Sequence, residues 1–327
     1  MASTLKQELD FQIVFTAFSK YNLGDIKEEH QQIKGDVDIN YKITATSGNY
    51  LLKYIKNKEN IPQFEMLAHL HEYLRKKGVP VPKIYKTENG NYIEDDFILY
   101  EFIEGHTKEQ TMEEWSKEEM ISLVSNFAKM LIALKDYKVP DFVKNKSDKY
   151  ILGSDIKYCY GVLKPKVIQL PTSDEIKNSI IKTIDLLYSK LFDFEKLPKF
   201  LIHGDLNEMN AIFMDGKNVG IIDFGIAYEP IVYDLGEFCY WFTMPWWTEE
   251  FDRERYNLIL VIFENFLPLS PLEKELLPYM ILRRGMMDLM LTLYRYWSEA
   301  NVSIPEGRLR LLIKRNNKII SEFNLSN

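Results

Sequence analysis

Two short apolar stretches near the middle of the chain are separated by a polar turn. Ala211–Met214 and Val219–Ile222 have the composition of strands, and Asp215–Asn218 between them contains the Asp-Gly pair typical of hairpin turns. The pattern predicts a hairpin with a four-residue turn. If the same pairing continues past both strands, Asn210 lies opposite Asp223, with roughly 4.5–5.5 Å between their Cβ atoms, as directly opposed residues have.

A further hairpin is predicted nearer the N-terminus. Ile39–Thr44 alternates apolar and polar residues, Ser47–Asn49 has the composition of a turn, and Tyr50–Ile55 forms the returning strand. On that strand Lys53 shares a face with apolar residues. Such a lysine needs an anion nearby, either a protein carboxylate or a phosphate, unless it lies on an edge strand and reaches water.

A helix is predicted after this hairpin. Asn60 can cap it, Gly78 ends it, and apolar residues recur between them at helical spacing. Glu65 lies beside the apolar stripe and is placed to meet Lys53. The alternatives are that Glu65 is an exposed acid and that Glu72, on the same helix, is the partner of the lysine.

The strand predicted at Phe97–Ile103 marks the point after which the pattern becomes helical. Thr111–Glu114 has the composition of a capping box, and apolar residues recur at helical spacing in the segment that follows and again over Asp174–Phe192. We therefore predict an α+β protein with a small N-terminal domain, residues 1–103, that contains an antiparallel sheet. A larger, mainly helical domain is expected over residues 104–327.

Composition and charge argue against several classes of protein. The 327 residues are 46% hydrophobic, enough for substantial cores, and the net charge of −7 argues against nucleic-acid binding. Cys159 and Cys239 predict neither a disulfide framework nor a zinc site, because they have no CxxC spacing. The first residues lack a signal-peptide pattern, and no apolar run is long enough to span a bilayer. We expect a cytoplasmic protein without membrane or nucleic-acid partners; its oligomeric state stays open.

The candidate chemistry lies beside the hairpin in the middle of the chain. Asp205 precedes Asn210 by five residues, which is the spacing in kinase catalytic loops between the aspartate that accepts the hydroxyl proton and the asparagine that binds metal. Asn210 and Asp223, at opposed positions, offer two oxygen-bearing side chains that could share one Mg²⁺. For His203, at the start of the same segment, a buried structural role is the preferred interpretation.

These residues make the chain resemble the aminoglycoside phosphotransferase and choline kinase superfamily, relatives of protein kinases that phosphorylate small molecules. The resemblance rests on His203–Asn210 and Asp223. Lys53 and the Tyr-Asp-Leu-Gly segment Tyr233–Gly236 support it. It implies a bilobal protein-kinase-like fold and an enzyme that uses Mg²⁺ to transfer the γ-phosphate of ATP or GTP to a hydroxyl group.

The resemblance also implies roles for individual residues. Asp205 would be the catalytic base, Asn210 and Asp223 the Mg²⁺ ligands, and Asp234 a structural acid that braces the catalytic loop. Lys53 would bind the phosphates of the nucleotide. The other nucleotide-binding positions that it implies are Glu65, which would orient Lys53, the backbone at Glu101 and Ile103, which would bind adenine, and the segment around Gly35, which would cover the phosphates.

The acceptor is expected to bind in the helical domain, after Asp223. Glu237 and Trp241 are candidates to hold an amine, and Arg284 is a candidate to bind a carboxylate; core packing and surface ion pairs would explain the same residues. We predict an amine-bearing metabolite or an aminoglycoside-like antibiotic as the acceptor.

Parts of the sequence also suggest other functions. Tyr21–Gly24 and Gly78–Pro82 resemble segments of type II homoserine kinases, which makes an amino-acid kinase the first alternative. The second is a catalytically silent family member that acts as a binding protein. A protein kinase is disfavoured, because no Ala-Pro-Glu segment follows Asp223.

Overall fold

The computed structural model describes residues 9–27, 31–33, 38–144, 155–298 and 303–326. Over these residues the strands are β1 (Gln31–Ile33), β2 (Ile39–Ala45), β3 (Gly48–Tyr54), β4 (Ile84–Tyr85), β5 (Ile93–Glu94), β6 (Phe97–Glu101), β7 (Lys199–Ile202), β8 (Ala211–Met214), β9 (Lys217–Ile221) and β10 (Ala227–Pro230). The helices are α1 (Phe11–Ser19), α2 (Ile61–Lys76), α3 (Lys108–Thr111), α4 (Lys117–Lys135), α5 (Asp141–Lys144), α6 (Ile156–Tyr158), α7 (Lys164–Ile168), α8 (Asp174–Ser189), α9 (Leu191–Phe194), α10 (Ile231–Thr243), α11 (Arg253–Phe266), α12 (Pro271–Ser298) and α13 (Glu306–Glu322).

The chain divides into two compact units. The first comprises Met1–His106 and Ile212–Ile222, and the second comprises Thr107–Ala211 and Asp223–Asn327. The hairpin in the middle of the chain therefore belongs to the same unit as the N-terminal sheet.

An antiparallel sheet forms the centre of the first unit. Its strand order is β1-β2-β3-β6-β4, and β5 also pairs with β6. The predicted hairpin of β2 and β3 is confirmed, with Asn40 opposite Lys53. Successive side chains of a strand point to opposite faces. Leu52 packs with Val14 and Phe18 of α1 in a buried cluster, so Lys53 points to the opposite face.

Helix α2 is confirmed close to its predicted bounds. Asn60 occupies the N-cap position but makes no side-chain capping bond, and Pro62 lies in the first turn, where its missing N–H removes no helical bond. The buried His71 near the end of this helix forms a 2.9 Å hydrogen bond through Nδ1 with the carbonyl oxygen of Pro82. This bond ties α2 to the chain that enters β4.

The hairpin of β8 and β9 has a shorter turn than the sequence predicts. Asp215 and Gly216 both have positive φ, 50° and 72°, as a two-residue type I′ turn requires. Strand β9 begins directly after this turn, at Lys217. The predicted four-residue turn is therefore wrong, and so is the register that would place Asn210 opposite Asp223.

The second unit is built mainly of helices around α10. All residues of α10 except Trp241 are buried, which is typical of a helix with neighbours on every side. Gly236 allows a close approach to α12, where an added Cβ would lie 2.5 Å from the Cβ of Met280. The Phe238 ring stacks on Phe127 of α4 at 4.6 Å between centroids.

Helix α4 begins at a different capping box from the predicted one. The Ser116 hydroxyl accepts the amide of Glu119 at 3.1 Å, and the Glu119 carboxylate accepts the amide of Ser116 at 2.8 Å. The prediction of a box at Thr111–Glu114 is wrong, because the helix starts after Ser116. Among the described helices, none is both long enough and apolar enough to cross a membrane.

Candidate active site

The predicted catalytic loop follows β7, and its backbone is held by a two-stranded pairing. Ala227 of β10 lies opposite Ile202 of β7, and the amide of Ile226 donates to the carbonyl oxygen of His203 at 2.9 Å. The segment after Asp223 is thereby fixed beside the loop that contains Asp205. An added Cβ at Gly225 would meet the Asp205 Cβ at 3.3 Å, so a glycine suits this close approach.

Asp234, in the first turn of α10, anchors the start of the catalytic loop. Its two carboxylate oxygens accept the amides of His203 and Gly204, each at 2.9 Å. Burial raises the pKa of Asp234 to about 7, and the two amide bonds act in the opposite direction. The His203 ring is fully buried against the Phe224 ring, 4.3 Å away. Both findings indicate that Asp234 and His203 stabilise the structure of the loop.

Asp205 is oriented by two asparagines of its own loop. Asn207 donates from Nδ2 to the Asp205 carboxylate at 3.1 Å, and Asn210 donates to the Asp205 carbonyl oxygen at 2.8 Å. Burial raises the pKa of Asp205 to about 6, while the guanidinium of Arg284 acts in the opposite direction. The carboxylate is thus fixed in direction and more basic than an ordinary aspartate, as a proton acceptor should be.

The residues predicted to bind metal have side-chain oxygen atoms that suit a magnesium ion. Asn210 uses its amide nitrogen for the bonds to Asp205, which leaves its oxygen as the atom that can bind a metal. Asp223 is an exposed carboxylate with φ of 57°. Among the described residues, no group of three or more His, Cys, Asp and Glu could hold a metal ion. Mg²⁺ commonly takes only one or two protein carboxylates and completes its shell with phosphates and water.

The first unit contains the residues predicted to bind the nucleotide. The Lys53 ammonium lies 5.5 Å from the centre of the Phe64 ring and 5.9 Å from that of Tyr100. Phe64 precedes Glu65 on α2, but the Glu65 side chain is exposed. Its pairing with Lys53 stays a prediction. Gly35 lies outside the described residues.

The segment at the end of β6 contains the positions predicted to bind adenine, Glu101 and Ile103. The Glu101 amide donates to the carbonyl oxygen of Lys83 at 2.8 Å, and the Glu101 carboxylate pairs with Arg75 at 2.9 Å. Within the part of the chain that the structure describes, no group accepts a hydrogen bond from the amide of Ile103. The Ile103 side chain packs against Gly220 of β9, where a Cβ would lie only 2.8 Å from it.

The three residues predicted to bind the acceptor come together in the second unit. Arg284 Nε lies 2.8 Å from a carboxylate oxygen of Glu237, and its guanidinium carbon lies 4.6 Å from the centre of the Trp241 ring. Asp288, one helical turn further along α12, pairs with Arg284 Nη1 at 2.7 Å and lies 3.3 Å from the hydroxyl of Tyr240. Burial raises the pKa of Glu237, and the neighbouring guanidinium lowers it.

Two residues of this region were not identified from the sequence. Asn207 lies inside the predicted catalytic loop, and Asp288 follows Arg284 at the i,i+4 spacing of helical ion pairs. That spacing is a signal that could have identified Asp288. The role of Asn207 depends on the fold of the loop, which the spacing of Asp205 and Asn210 does not specify.

Comparison with known proteins identifies the family to which this chain belongs. Residues 29–257 of the chain, more than half of it, match the model of the phosphotransferase enzyme family. The chain belongs to this family. Membership makes it a kinase, a phosphotransferase with a hydroxyl group as acceptor, as the sequence predicted.

Curated relatives of this phosphotransferase include bacterial homoserine kinases. One from Chelativorans sp. (strain BNC1) is 26% identical over 307 residues, which cover 90% of this chain and 87% of the relative. Another, from Methylobacillus flagellatus, is 25% identical over 224 residues, which cover 66% of this chain and 63% of the relative. The chain thus spans less than two thirds of the Methylobacillus protein.

Solved structures show the same fold. An amicoumacin kinase in complex with AMP-PNP, Ca²⁺ and Ami has a TM-score of 0.68 and 19% identity, with 98% of this chain and 96% of that chain covered. A microcompartment-associated aminopropanol kinase has a TM-score of 0.64 and 15% identity, with 97% and 99% covered. The predicted α+β, protein-kinase-like fold is confirmed.

Proposed function

We propose that this phosphotransferase transfers the γ-phosphoryl group of ATP or GTP to the hydroxyl of a small, amine-bearing acceptor. The observation that carries the proposal is the oriented carboxylate of Asp205, within electrostatic reach of a cluster of two acids and one arginine, Glu237, Asp288 and Arg284.

The loop residues have separate tasks in the transfer. Asp205 accepts the proton of the acceptor hydroxyl as the oxygen attacks the γ-phosphorus, and the asparagines at 207 and 210 keep its carboxylate in place. Lys53 binds the phosphates. Asn210 and Asp223 would hold Mg²⁺, which when bound offsets negative charge on the phosphate oxygens.

The charge of the cluster favours a cationic acceptor. Glu237 and Asp288 pair with the guanidinium of Arg284, which also acts electrostatically on Asp205, and the net charge of these four side chains is negative even when Glu237 holds a proton. A buried negative site stabilises an ammonium group. Arg284 already lies against two carboxylates, so a substrate carboxylate would have to compete for it.

An amino-acid kinase is the second candidate. The curated relatives described above are named homoserine kinases, and homoserine carries both an ammonium group and a primary hydroxyl. This candidate fits the negative cluster through its ammonium group. The second candidate differs from the first because its substrate also has a carboxylate, for which the protein must provide a binding group.

An acceptor panel separates these candidates. We would measure nucleoside diphosphate release with Mg²⁺ and ATP or GTP in the presence of homoserine, amino alcohols without a carboxylate, choline, aminoglycosides and neutral sugars. The proposal predicts turnover with amine-bearing acceptors and none with the sugars, and loss of turnover in Asp205→Ala. Turnover of neutral sugars alone would contradict the amine assignment. Absence of both turnover and nucleotide binding would favour a binding protein.

A further inference from the structure

Two polar side chains of α10, Glu237 and Trp241, lack the hydrogen bonds that buried groups normally form. Glu237 is 1% exposed, and among the described residues no group donates a hydrogen bond to either of its carboxylate oxygens. Nε1 of Trp241 is also buried, and the same part of the chain offers it no acceptor. Residues four apart on a helix have Cβ atoms about 5–6 Å apart. Acceptor oxygens and a donor N–H therefore lie close together on one face of α10.

Arg284 contacts both side chains but satisfies neither. Its Nε lies 2.8 Å from a Glu237 oxygen, in an ion pair without the alignment of a hydrogen bond, and its guanidinium carbon lies 4.6 Å from the centre of the Trp241 ring. The Tyr240 ring meets the Trp241 ring at 83°, with 5.1 Å between centroids. The Trp241 ring thus has a cation and an aromatic partner within the protein, and its N–H is the group that remains for a ligand.

Solvent reaches this cluster from one side. Trp241 is the one residue of α10 that is not buried. The Asp288 side chain, which pairs with Arg284, is 12% exposed, whereas that of Glu237 is 1% exposed. A ligand that approaches Glu237 would therefore pass Trp241 and Asp288.

A second buried indole lacks this combination. Within the described ranges, Nε1 of Trp115 likewise has no acceptor. The acid four residues later, Glu119, has partners, because Lys108 lies 2.9 Å from its carboxylate and the Ser116 amide donates to it at 2.8 Å. At α10, by contrast, the acid and the indole both lack hydrogen bonds. The pair of groups, and not the indole alone, indicates a ligand.

We propose that Glu237 and Trp241 together select the acceptor: Glu237 accepts hydrogen bonds from its ammonium group, and the Trp241 N–H donates to an oxygen close to that group. The inference rests on the proposed function. Unpaired polar groups in a site favour the ligand that pairs them and disfavour analogues that do not. The acceptor is then an amine that keeps N–H groups and has, besides the hydroxyl that is phosphorylated, a second oxygen near its nitrogen. An ammonium group beside Glu237 also favours the charged carboxylate.

Matched acceptors and two variants test this assignment. Homoserinol has a hydroxyl group next to its amine-bearing carbon, homoserine has a carboxylate there, and the aminopropanol that remains when homoserine loses its carboxylate has neither. Trp241→Phe keeps an aromatic ring against Arg284 and removes the N–H. Trp115→Phe is the matched control, because it removes another buried indole N–H outside the cluster. The quantity compared is kcat/KM for each acceptor at saturating nucleotide.

The expected effect depends on the second oxygen of the acceptor. In the wild type, kcat/KM for homoserinol or homoserine exceeds that for aminopropanol by about tenfold, and the better of the two shows whether the oxygen is a hydroxyl or a carboxylate. Trp241→Phe removes this preference and leaves the value for aminopropanol unchanged, whereas Trp115→Phe keeps the preference. A loss of packing alone would lower kcat/KM for all acceptors alike. Choline, which has no N–H, should be a poorer acceptor than aminopropanol.

Two failures are distinguishable. If the wild type uses aminopropanol as well as the oxygen-bearing acceptors, or if Trp241→Phe keeps the preference, the selection by Trp241 is overturned and the proposed function stands. If only another panel acceptor is turned over, Trp241→Phe must lower its kcat/KM about tenfold and Trp115→Phe must not; equal values overturn the assignment. If the wild type phosphorylates nothing in the panel, the proposed function fails and the inference with it. Should Trp241→Phe not fold by circular dichroism, the preference of the wild type decides.

Discussion

At the scale of single residues, Asp234 holds the backbone at the start of the predicted catalytic loop. It is 1% exposed and accepts two consecutive backbone amides, those of His203 and Gly204. Gly204 has φ of 77°, a conformation that glycine adopts readily. The carboxylate and the glycine together turn the chain from β7 into the predicted catalytic loop.

Replacing Asp234 is expected to destabilise the protein strongly. Asp234→Ala leaves two buried amides without acceptors and should lower the free energy of unfolding by about 2–6 kcal/mol, since each unsatisfied donor costs about 1–3 kcal/mol. Asp234→Asn keeps one acceptor oxygen and should lose about half as much. Urea denaturation followed by circular dichroism measures both.

An acid in the first turn of another helix serves as the control for Asp234. Glu254 of α11 is exposed, and Glu254→Ala should change the free energy of unfolding by no more than about 0.5 kcal/mol. Equal losses for the Glu254 and Asp234 variants would show that the two amide bonds contribute nothing specific.

At the scale of secondary-structure elements, the close contact of α10 with α12 depends on the absence of a side chain at Gly236. An added Cβ at Gly236 would lie 2.5 Å from the Met280 Cβ and 2.8 Å from its carbonyl carbon. Because backbone atoms of α12 cannot move aside like a flexible side chain, Gly236→Ala should lower the free energy of unfolding by about 1–3 kcal/mol. Gly307→Ala is the control.

The control lies where an added methyl group meets nothing. No atom lies within 4 Å of a Cβ built at Gly307, in the first turn of α13. Gly307→Ala should leave stability unchanged or raise it by up to about 1 kcal/mol, because alanine loses less backbone entropy in a helix. Chemical denaturation of the two variants side by side tests the close contact; a stable Gly236→Ala protein would contradict it.

Helix α2 contains a buried histidine that makes stability depend on pH. Burial lowers the pKa of His71 to about 4, because the charged imidazolium loses its hydration. In the unfolded chain the pKa is near the ordinary value of about 6.5. Between these values the unfolded state binds the proton and the folded state does not, so the free energy of unfolding falls as the pH drops from about 6.5 to 4.

Substitution by glutamine isolates this histidine. His71→Gln keeps a donor for the Pro82 carbonyl but does not titrate. Between about pH 7 and pH 5, the wild type should lose about 2 kcal/mol more of its free energy of unfolding than the variant does. The measurement is urea denaturation at both pH values. Equal losses would show that His71 titrates alike in the folded and unfolded states.

At the scale of the whole molecule, the features predicted from sequence are those with strong local signals. The helix after Asn60 and the hairpin around Lys53 follow from apolar periodicity and turn residues, and both are confirmed. The pair Asp205 and Asn210 was found from spacing alone, and the fold brings both into one hydrogen-bonded loop.

The features that were predicted wrongly or not predicted from the sequence have physical explanations. Thr111 and Ser116 each begin a sequence that fits a capping box, and the choice between them depends on where α4 packs. The Asp-Gly turn was recognised, but positive φ at both of its residues closes it in two residues and not four. The grouping of Glu237 with Arg284 and Asp288 required the contact of α10 with α12, which no local pattern specifies.

Asp205 has the central role in the proposed reaction, as the base for phosphoryl transfer to a hydroxyl group. The most direct test is phosphorus NMR of the reaction products, with the wild type and Asp205→Asn compared on the acceptor that the panel identifies. We expect a phosphate monoester signal from the wild type, and a rate lower by about 10²–10⁴-fold in the variant, with nucleotide affinity retained. Formation of the monoester at equal rates by both proteins would contradict it.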